Sequence, residues 1–371
     1  MRENILIFGH SYATQFIDIN NQYTTLFDPK KFSVTVVYLT GKSDEEIKKR
    51  HLAKEIIFLD ASTSTTRGLK ISIIKKMLQL HREKNFRLAI CHRYKPSYVM
   101  MLVSLFKKIP LIFSIMHELG TLKNFSRKFL IAAFAKENMI FAGVSDAVRN
   151  DLRKNIWHVP EERVITLHNG IDVNATEQQL LTRENARKEF SLTENEFVFG
   201  TIGRLAKNKD QHTLLHAFAA IKKPAKLLII GDGALEKDLK DLTKELKIEN
   251  DVIFTGFLPH AFRYLKAFDV YISSSIQEAF GLVLLEAMLA RIPIIATRVN
   301  GVPEVMGDTG ILIPAQDQNK MTTEMLKLYS CSSDERKKLG QQGYERAVNN
   351  FSFEQFHKLF WNLSFVKETF A

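Results

Sequence analysis

The sequence predicts an α/β protein of two successive domains, each built on a doubly wound parallel sheet. Three observations carry this. The chain has 371 residues, enough for two domains at roughly 150 residues each. Short β-rich runs recur between helix-length stretches throughout, the pattern of βα units feeding parallel strands. Between Asn169-Gly170-Ile171-Asp172 and Phe197 the chain is polar, helix-prone and without a strand-like run, which puts the domain junction there.

In the first half the strand-like runs are residues 4–8, 33–38, 56–59, 88–91, 111–115, 139–143 and 164–167. In the second half they are 198–202, 227–230, 252–255, 270–273, 292–296 and 311–313. This gives a first, Rossmann-like domain over 1–174, a second over 175–350 and a C-terminal helix over 351–371. The last stretch carries Phe351, Phe353, Phe356, Phe360 and Trp361, so it needs a surface to cover, and packing back on the first domain supplies one. No repeat or long linker intervenes, so the two domains are expected to face each other across a cleft.

A content of 45% hydrophobic and 25% charged residues excludes a disordered, collagen-like or coiled-coil chain. Cys91 and Cys331 make neither a disulfide framework nor a metal-ligand spacing, which fits a reducing compartment. The longest apolar candidate, 99–106, stops far short of the ~18 residues of a membrane span. Met1-Arg2-Glu3-Asn4 leads straight into a strand-like run with no leader pattern. The expected location is the cytoplasm. Charge is uneven: residues 1–170 hold 27 Lys/Arg against 15 Asp/Glu, a net +12, and residues 171–371 hold 25 against 26. An anionic partner for the first half would account for the excess, as would surface lysines that merely aid solubility.

In parallel sheets, ligands bind beyond the carboxyl ends of strands, where loops enter helices whose first N–H groups attract anions. Three such loops stand out. After 198–202 comes Gly203-Arg204-Leu205-Ala206-Lys207-Asn208-Lys209-Asp210. Gly203 permits a sharp turn, and the Arg204 guanidinium with the Lys209 ammonium suits a diphosphate, although basic loop residues are usually only solvated. After 227–230, Gly231-Asp232-Gly233-Ala234 reads as a tight turn with Asp232 capping a helix. It is no dinucleotide fingerprint, so NAD is disfavoured and no cofactor is expected. The third loop is the most informative: Glu278-Ala279-Phe280-Gly281-Leu282 runs into a helix holding Glu286. Two carboxylates eight apart, with the Phe280 to Leu282 amides between them, can hold a polyhydroxylated group at each and an anion between. A capping Glu plus an exposed helical Glu is the plainer alternative.

The Glu278-to-Glu286 pair, the Gly203-to-Lys209 stretch, Asn169-Gly170-Ile171-Asp172 and Gly301-Val302-Pro303-Glu304 together resemble the family-4 (group 1) retaining glycosyltransferases of the GT-B fold, firmly over 164–315. The resemblance implies that Arg204 and Lys209 hold the diphosphate of a nucleotide-sugar donor and Glu286 its ribose. It implies that Glu278, with the backbone of Phe280, Gly281 and Leu282, holds the transferred sugar and the phosphate beside it, and that the base lies near Phe257 and Leu258. In the first half His117 matches the family's cleft histidine, near the sugar's outer hydroxyls. Two positions depart from the family pattern: Gly9-His10-Ser11 replaces a Gly-Gly turn near donor and acceptor, and Asn300-Gly301 replaces a later one.

No Asp-x-Asp occurs; Glu249-Asn250-Asp251 precedes its strand and lies at the wrong edge. Protein cations rather than a metal are therefore expected to neutralise the leaving group, and the resemblance implies retention. The expected acceptor is lipid-linked or a saccharide, in polysaccharide, lipopolysaccharide or glycolipid assembly. The basic stretch 122–130 offers Phe125 and Phe129 to an anionic membrane face, with Lys123, Arg127 and Lys128 on lipid phosphates; alternatively Phe129, Ala133 and Phe134 pack on the sheet. A nucleotide-sugar epimerase of the same fold and a non-catalytic sugar-nucleotide-binding subunit remain as alternatives. No nucleic-acid motif accompanies the charge, so no nucleic acid is expected.

Overall fold

A computed structural model describes residues 2–12, 14–62 and 70–371. The chain divides into two compact units, Met1–Gly170 with Phe356–Ala371, and Ile171–Gln355.

The first unit contains β1 (Glu3–Gly9), β2 (Phe32–Tyr38), β3 (Glu55–Phe58), β4 (Leu88–His92), β5 (Leu111–Met116), β6 (Met139–Gly143) and β7 (Val164–Thr166). They form one sheet in the order β3-β2-β1-β4-β5-β6-β7, parallel at every pairing. The second unit contains β8 (Val198–Ile202), β9 (Lys226–Ile230), β10 (Val252–Phe254), β11 (Val270–Ser273), β12 (Ile294–Thr297) and β13 (Ile311–Ile313). Its order is β10-β9-β8-β11-β12-β13, again parallel. Each run expected from the sequence forms a strand, with ends shifted by at most two residues. The reason is visible in β4, β5 and β6, where every residue is buried. Strands covered by helices on both faces need side chains that leave water on both sides, which makes them nearly continuous apolar runs.

Both sheets reverse direction of growth once, between β1 and β4 in the first and between β8 and β11 in the second. At such a point the loops leaving the two strands diverge and open a crevice at the carboxyl edge. His10 and Arg93 leave one switch point; Gly203 and Ser274 leave the other.

The segment expected to be helix-prone forms the helices Val173–Gln179 and Arg183–Lys188. Arg187 is 1% exposed there, and both of its terminal nitrogens are answered: they donate to the carbonyls of Thr193, Glu194 and Glu196 and to Asp269 Oδ2 at 2.8 Å. Asp269 also accepts from Val198 N. A buried charge persists only when paired and hydrogen-bonded. This one ties the start of β8 to the entry of β11.

The C-terminal stretch is not one helix. It forms Phe353–Asn362 and Ser364–Phe370, with Leu363 extended between them. Phe351 ends the preceding helix in the second unit, edge-on to Phe280. Phe356 packs on Tyr23, Phe360 on Phe27 and Phe113, and Trp361 Nε1 donates to Leu26 O at 3.0 Å, all in the first unit.

Candidate active site

In the second unit, the β8 loop turns at Gly203 and passes through a short 3-10 turn, Lys207–Lys209, before the helix Gln211–Ile221 begins. Asp210 caps that helix, and Ser274 Oγ donates to Lys209 O at 2.7 Å. Ile276 N donates to Asn208 O at 2.9 Å. These bonds hold the β8 and β11 loops against each other. The result is that Lys209 Nζ donates to Glu278 Oε2, and the two side chains are 25% and 19% exposed. Ser275 Oγ lies 3.4 Å from the same oxygen.

Gly281, at φ +97°, starts the helix Leu282–Leu289. A side chain there would be strained, so glycine is required for the turn that leads from Glu278 into the helix. Gly203, Lys209, Glu278, Gly281 and Leu282 line one pocket with Tyr271. Glu286 is half-buried one helical level further on. Burial first, then Glu278 and Glu286, push the Tyr271 phenol pKa upward, so the ring stands within electrostatic reach of both carboxylates. Its hydroxyl donates to Ile202 O.

Other expected residues lie elsewhere. Arg204 is exposed, and its carbonyl accepts from Gln211 Nε2. The Phe280 side chain is 3% exposed, so only its backbone faces the loop. Phe257 is 68% exposed and Leu258 half-buried, on the loop after β10 that Gly256 joins to Gly231. Asp232 does not cap a helix. The helix Glu236–Glu245 follows Leu235 without a side-chain cap, and Asp232 O instead accepts from Leu205 N. The two glycines beside it serve close approach, since a Cβ at Gly231 would sit 2.1 Å from Gly203 O.

The Asn300 departure has a physical account. Asn300 sits at φ +41°, a region asparagine tolerates better than most residues. Its Oδ1 accepts from Glu278 N at 3.2 Å, and Gly301 N donates to Glu278 O at 3.1 Å. The substituted side chain therefore braces the backbone of the paired carboxylate.

In the first unit, His10, Arg93, Lys95, His117, Glu118 and Arg127 line a pocket of about 290 Å³ beyond β1, β4 and β5. Arg93 starts the helix Tyr94–Phe106 at φ +73°, a strained setting of the kind that clusters at functional sites. It pairs with Glu118 and lies over the Phe16 ring. Burial, then Lys95 and Arg93, lower the His10 pKa. Burial, then Lys95 and Arg127, lower that of Lys70. Burial and Arg93 lower His117 to about 3. The cations thus converge from separate strand ends. Gly9 closes β1, where a Cβ would press on Tyr38 at 3.1 Å.

Sequence reasoning missed Tyr271, Ser275, His92, Arg93 and Lys95, and it named Asn300 only as a departure from the family pattern. The Cys91-His92-Arg93 run at the end of a strand beside a switch point was the signal for two of them.

Comparison with known proteins agrees with this architecture. Residues 182–346 match the family model for glycosyl transferases group 1, and residues 27–175 match that for glycosyltransferase family 4. N-acetyl-alpha-D-glucosaminyl L-malate synthase of Bacillus anthracis is 30% identical over 230 residues, which span 61% of this chain and 59% of that protein. N-acetylgalactosamine-N,N'-diacetylbacillosaminyl-diphospho-undecaprenol 4-alpha-N-acetylgalactosaminyltransferase of Campylobacter jejuni is 26% identical over 306 residues, spanning 78% and 80%. The crystal structure of Anabaena HepE with UDP and glucose has a TM-score of 0.78 at 19% identity, covering 97% and 98% of the two chains, a likeness of fold. With both family models matched and both parallel sheets in place, the chain belongs to the group 1, family 4 glycosyltransferases of the GT-B fold.

Proposed function

We propose that the protein transfers a sugar from a nucleotide-diphosphate sugar to an acceptor hydroxyl, with retention and without a divalent metal, in the assembly of a cell-surface polysaccharide, lipopolysaccharide or glycolipid. The observation that carries this is the Lys209–Glu278 pair at the glycine-initiated start of the helix Leu282–Leu289. A cation and a row of helix amides lie beside a carboxylate that can accept from sugar hydroxyls. HepE, of the same fold, has been crystallised with UDP and glucose.

In the proposed step the bond between the anomeric carbon and the diphosphate oxygen breaks, and its electron pair stays on the leaving diphosphate. Lys209, Arg204 and the amides of Gly281 and Leu282 stabilise that charge without reorganising. The acceptor oxygen bonds to the anomeric carbon from the face the diphosphate leaves, and its proton passes to a diphosphate oxygen. Glu278 orients the sugar, and Glu286 accepts from the ribose hydroxyls. His117 contacts a substrate oxygen entering its pocket.

The acceptor itself carries an anionic group. Support comes from the convergence of Arg93, Lys95 and Arg127 on the pocket that His10, His117 and Glu118 also line. The two relatives are named for L-malate and for a diphospho-undecaprenol-linked acceptor, both anions. We further propose that the exposed face of the helix Phe125–Phe134 brings the protein to an anionic bilayer.

The test is a panel of nucleotide sugars in excess chelator. One donor should raise the melting temperature selectively and be consumed only when a phosphorylated or carboxylated acceptor is present. An epimerised product without acceptor would favour the epimerase alternative. Loss of turnover in chelator that magnesium restores would overturn metal independence.

A further inference from the structure

The first unit holds a buried pair of imidazoles of which the proposed function uses only one member. His92 closes β4 with 0% exposure, and its Nδ1 lies 3.0 Å from His117 Nε2. Between two neutral rings such a contact contains one proton, so one ring donates and the other accepts. The remaining ring nitrogens decide which. His92 Nε2 is buried and has no hydrogen-bond partner among the described residues. A buried N–H without an acceptor is rarer in proteins than a buried acceptor without a donor. The His92 proton therefore belongs on Nδ1, from which it is donated to His117 Nε2.

His117 is itself neutral, since burial and the Arg93 guanidinium hold its pKa near 3. With Nε2 accepting, its single proton must sit on Nδ1. That nitrogen has no hydrogen bond assigned among the described residues, and the residue lines the pocket beside His10 and Arg93. A free neutral histidine side chain prefers the opposite arrangement, with the proton on Nε2, so the contact works against the ring's own preference.

We propose that His92 is a positioning residue that locks His117 in the Nδ1-protonated tautomer, so that His117 offers substrate a hydrogen-bond donor and never an acceptor. A substrate group that it recognises must then present a lone pair, as a hydroxyl or phosphate oxygen does. This rests on His117 being a substrate contact, and the experiment separates the two claims.

The full chain is labelled with 15N-histidine, and the protonated nitrogen of His117 is read from long-range 15N–1H correlations, assigned by their disappearance in His117→Gln. Wild type should carry the His117 proton on Nδ1 at neutral pH. His92→Phe keeps a ring against Tyr23, 4.8 Å from the present imidazole, but has no donor. Without the donor only the cost of a buried, unanswered N–H opposes the ring's own preference, so an Nε2-protonated population of His117 should appear and kcat/KM should fall by about tenfold; the orphan lost at His92 Nε2 is replaced by one at His117 Nε2, so the melting temperature should change little. His92→Asn can donate from its amide at the place of Nδ1 and should restore the tautomer and most of the activity. An Nε2-protonated His117 in wild type overturns the proposal, and so does an unchanged tautomer in His92→Phe; if that variant does not fold, failure of His92→Asn to keep the Nδ1 proton does so instead. A confirmed lock together with normal turnover in His117→Gln would leave the lock standing and remove His117 from substrate.

Discussion

Glu278 is held by its neighbours at both ends: its backbone by Asn300 and Gly301, its carboxylate by Lys209 and Ser275. A group braced in this way loses little orientation entropy when it meets a ligand, which suits a residue asked to fix a sugar. Glu278→Gln keeps the size and most hydrogen bonds but loses the charge opposite Lys209. The expected outcome is a folded protein with turnover lowered about 100-fold, measured by steady-state rates beside a thermal melt; near-normal turnover in the folded variant removes Glu278 from the site. At this scale the sequence was readable where the site is linear. The stretch from Glu278 to Glu286 lies along one loop and one helix, so spacing alone exposes it. The parts played by Tyr271, inside β11, and Asn300, after β12, were not readable, because they come to the Glu278 loop only through strand order; Ser275, three residues before Glu278, gave no signal of its own because a loop serine is commonplace. Arg93 and Lys95 escaped for a similar reason, converging with Arg127 from segments far apart in the chain; Arg127 itself was expected on lipid phosphates, and the structure places it in the lining of this pocket.

The strands were legible because a sheet covered on both faces leaves each strand little choice but to be apolar. Helices were less so, since a spacing of four puts Phe125 and Phe129 on one face without saying which way that face turns. In the structure Phe125 is 69% and Phe129 58% exposed, and Ile131 is the buried residue of that helix. The alternative in which Phe129 packs on the sheet therefore fails. Phe125 meets Trp157 edge-on at 5.6 Å, and Lys128 Nζ lies 5.6 Å from the same ring. Aromatic rings interleaved with ammonium groups suit the boundary between lipid phosphates and acyl chains. No helix of the described residues is long and apolar enough to cross a membrane, so attachment through this face would be peripheral. The protein should sediment with vesicles rich in anionic phospholipid at low salt, and a Phe125→Ser, Phe129→Ser double variant should stay in the supernatant. Equal sedimentation of variant and wild type would detach the helix from the claim.

Across the whole molecule, burial lowers the pKa of His10, His51, His81, His92, His117 and His357, and all belong to the first unit. Each takes up a proton less readily when folded than in the unfolded chain, where protonation occurs near 6.5. Below that pH the unfolded state binds more protons, so stability must fall as acid is added. The loss continues down to the folded values, about 4 for His51 and about 3 for His117. Trp157 and Trp361, the only two tryptophans, also lie in this unit, so intrinsic fluorescence follows it selectively. Its melting temperature read that way should decline steadily between about pH 6.5 and 4; a flat profile would contradict the burial of these rings. The two α/β units were legible in the chain at large, and so was the need of the aromatic tail for cover. How the tail divides was not, because Phe351, Phe356 and Phe360 look alike in sequence and differ only in what they reach. That division also sets an order of manufacture. Ile171–Gln355 is one unbroken stretch and can finish folding as soon as it clears the ribosome. The half synthesised first must wait for Phe356 and Phe360, some tens of seconds at ordinary translation speeds, with the greasy surface around Phe27 and Phe113 uncovered. The first portion to emerge is thus the last to be completed, and during that delay it is a natural client for a chaperone.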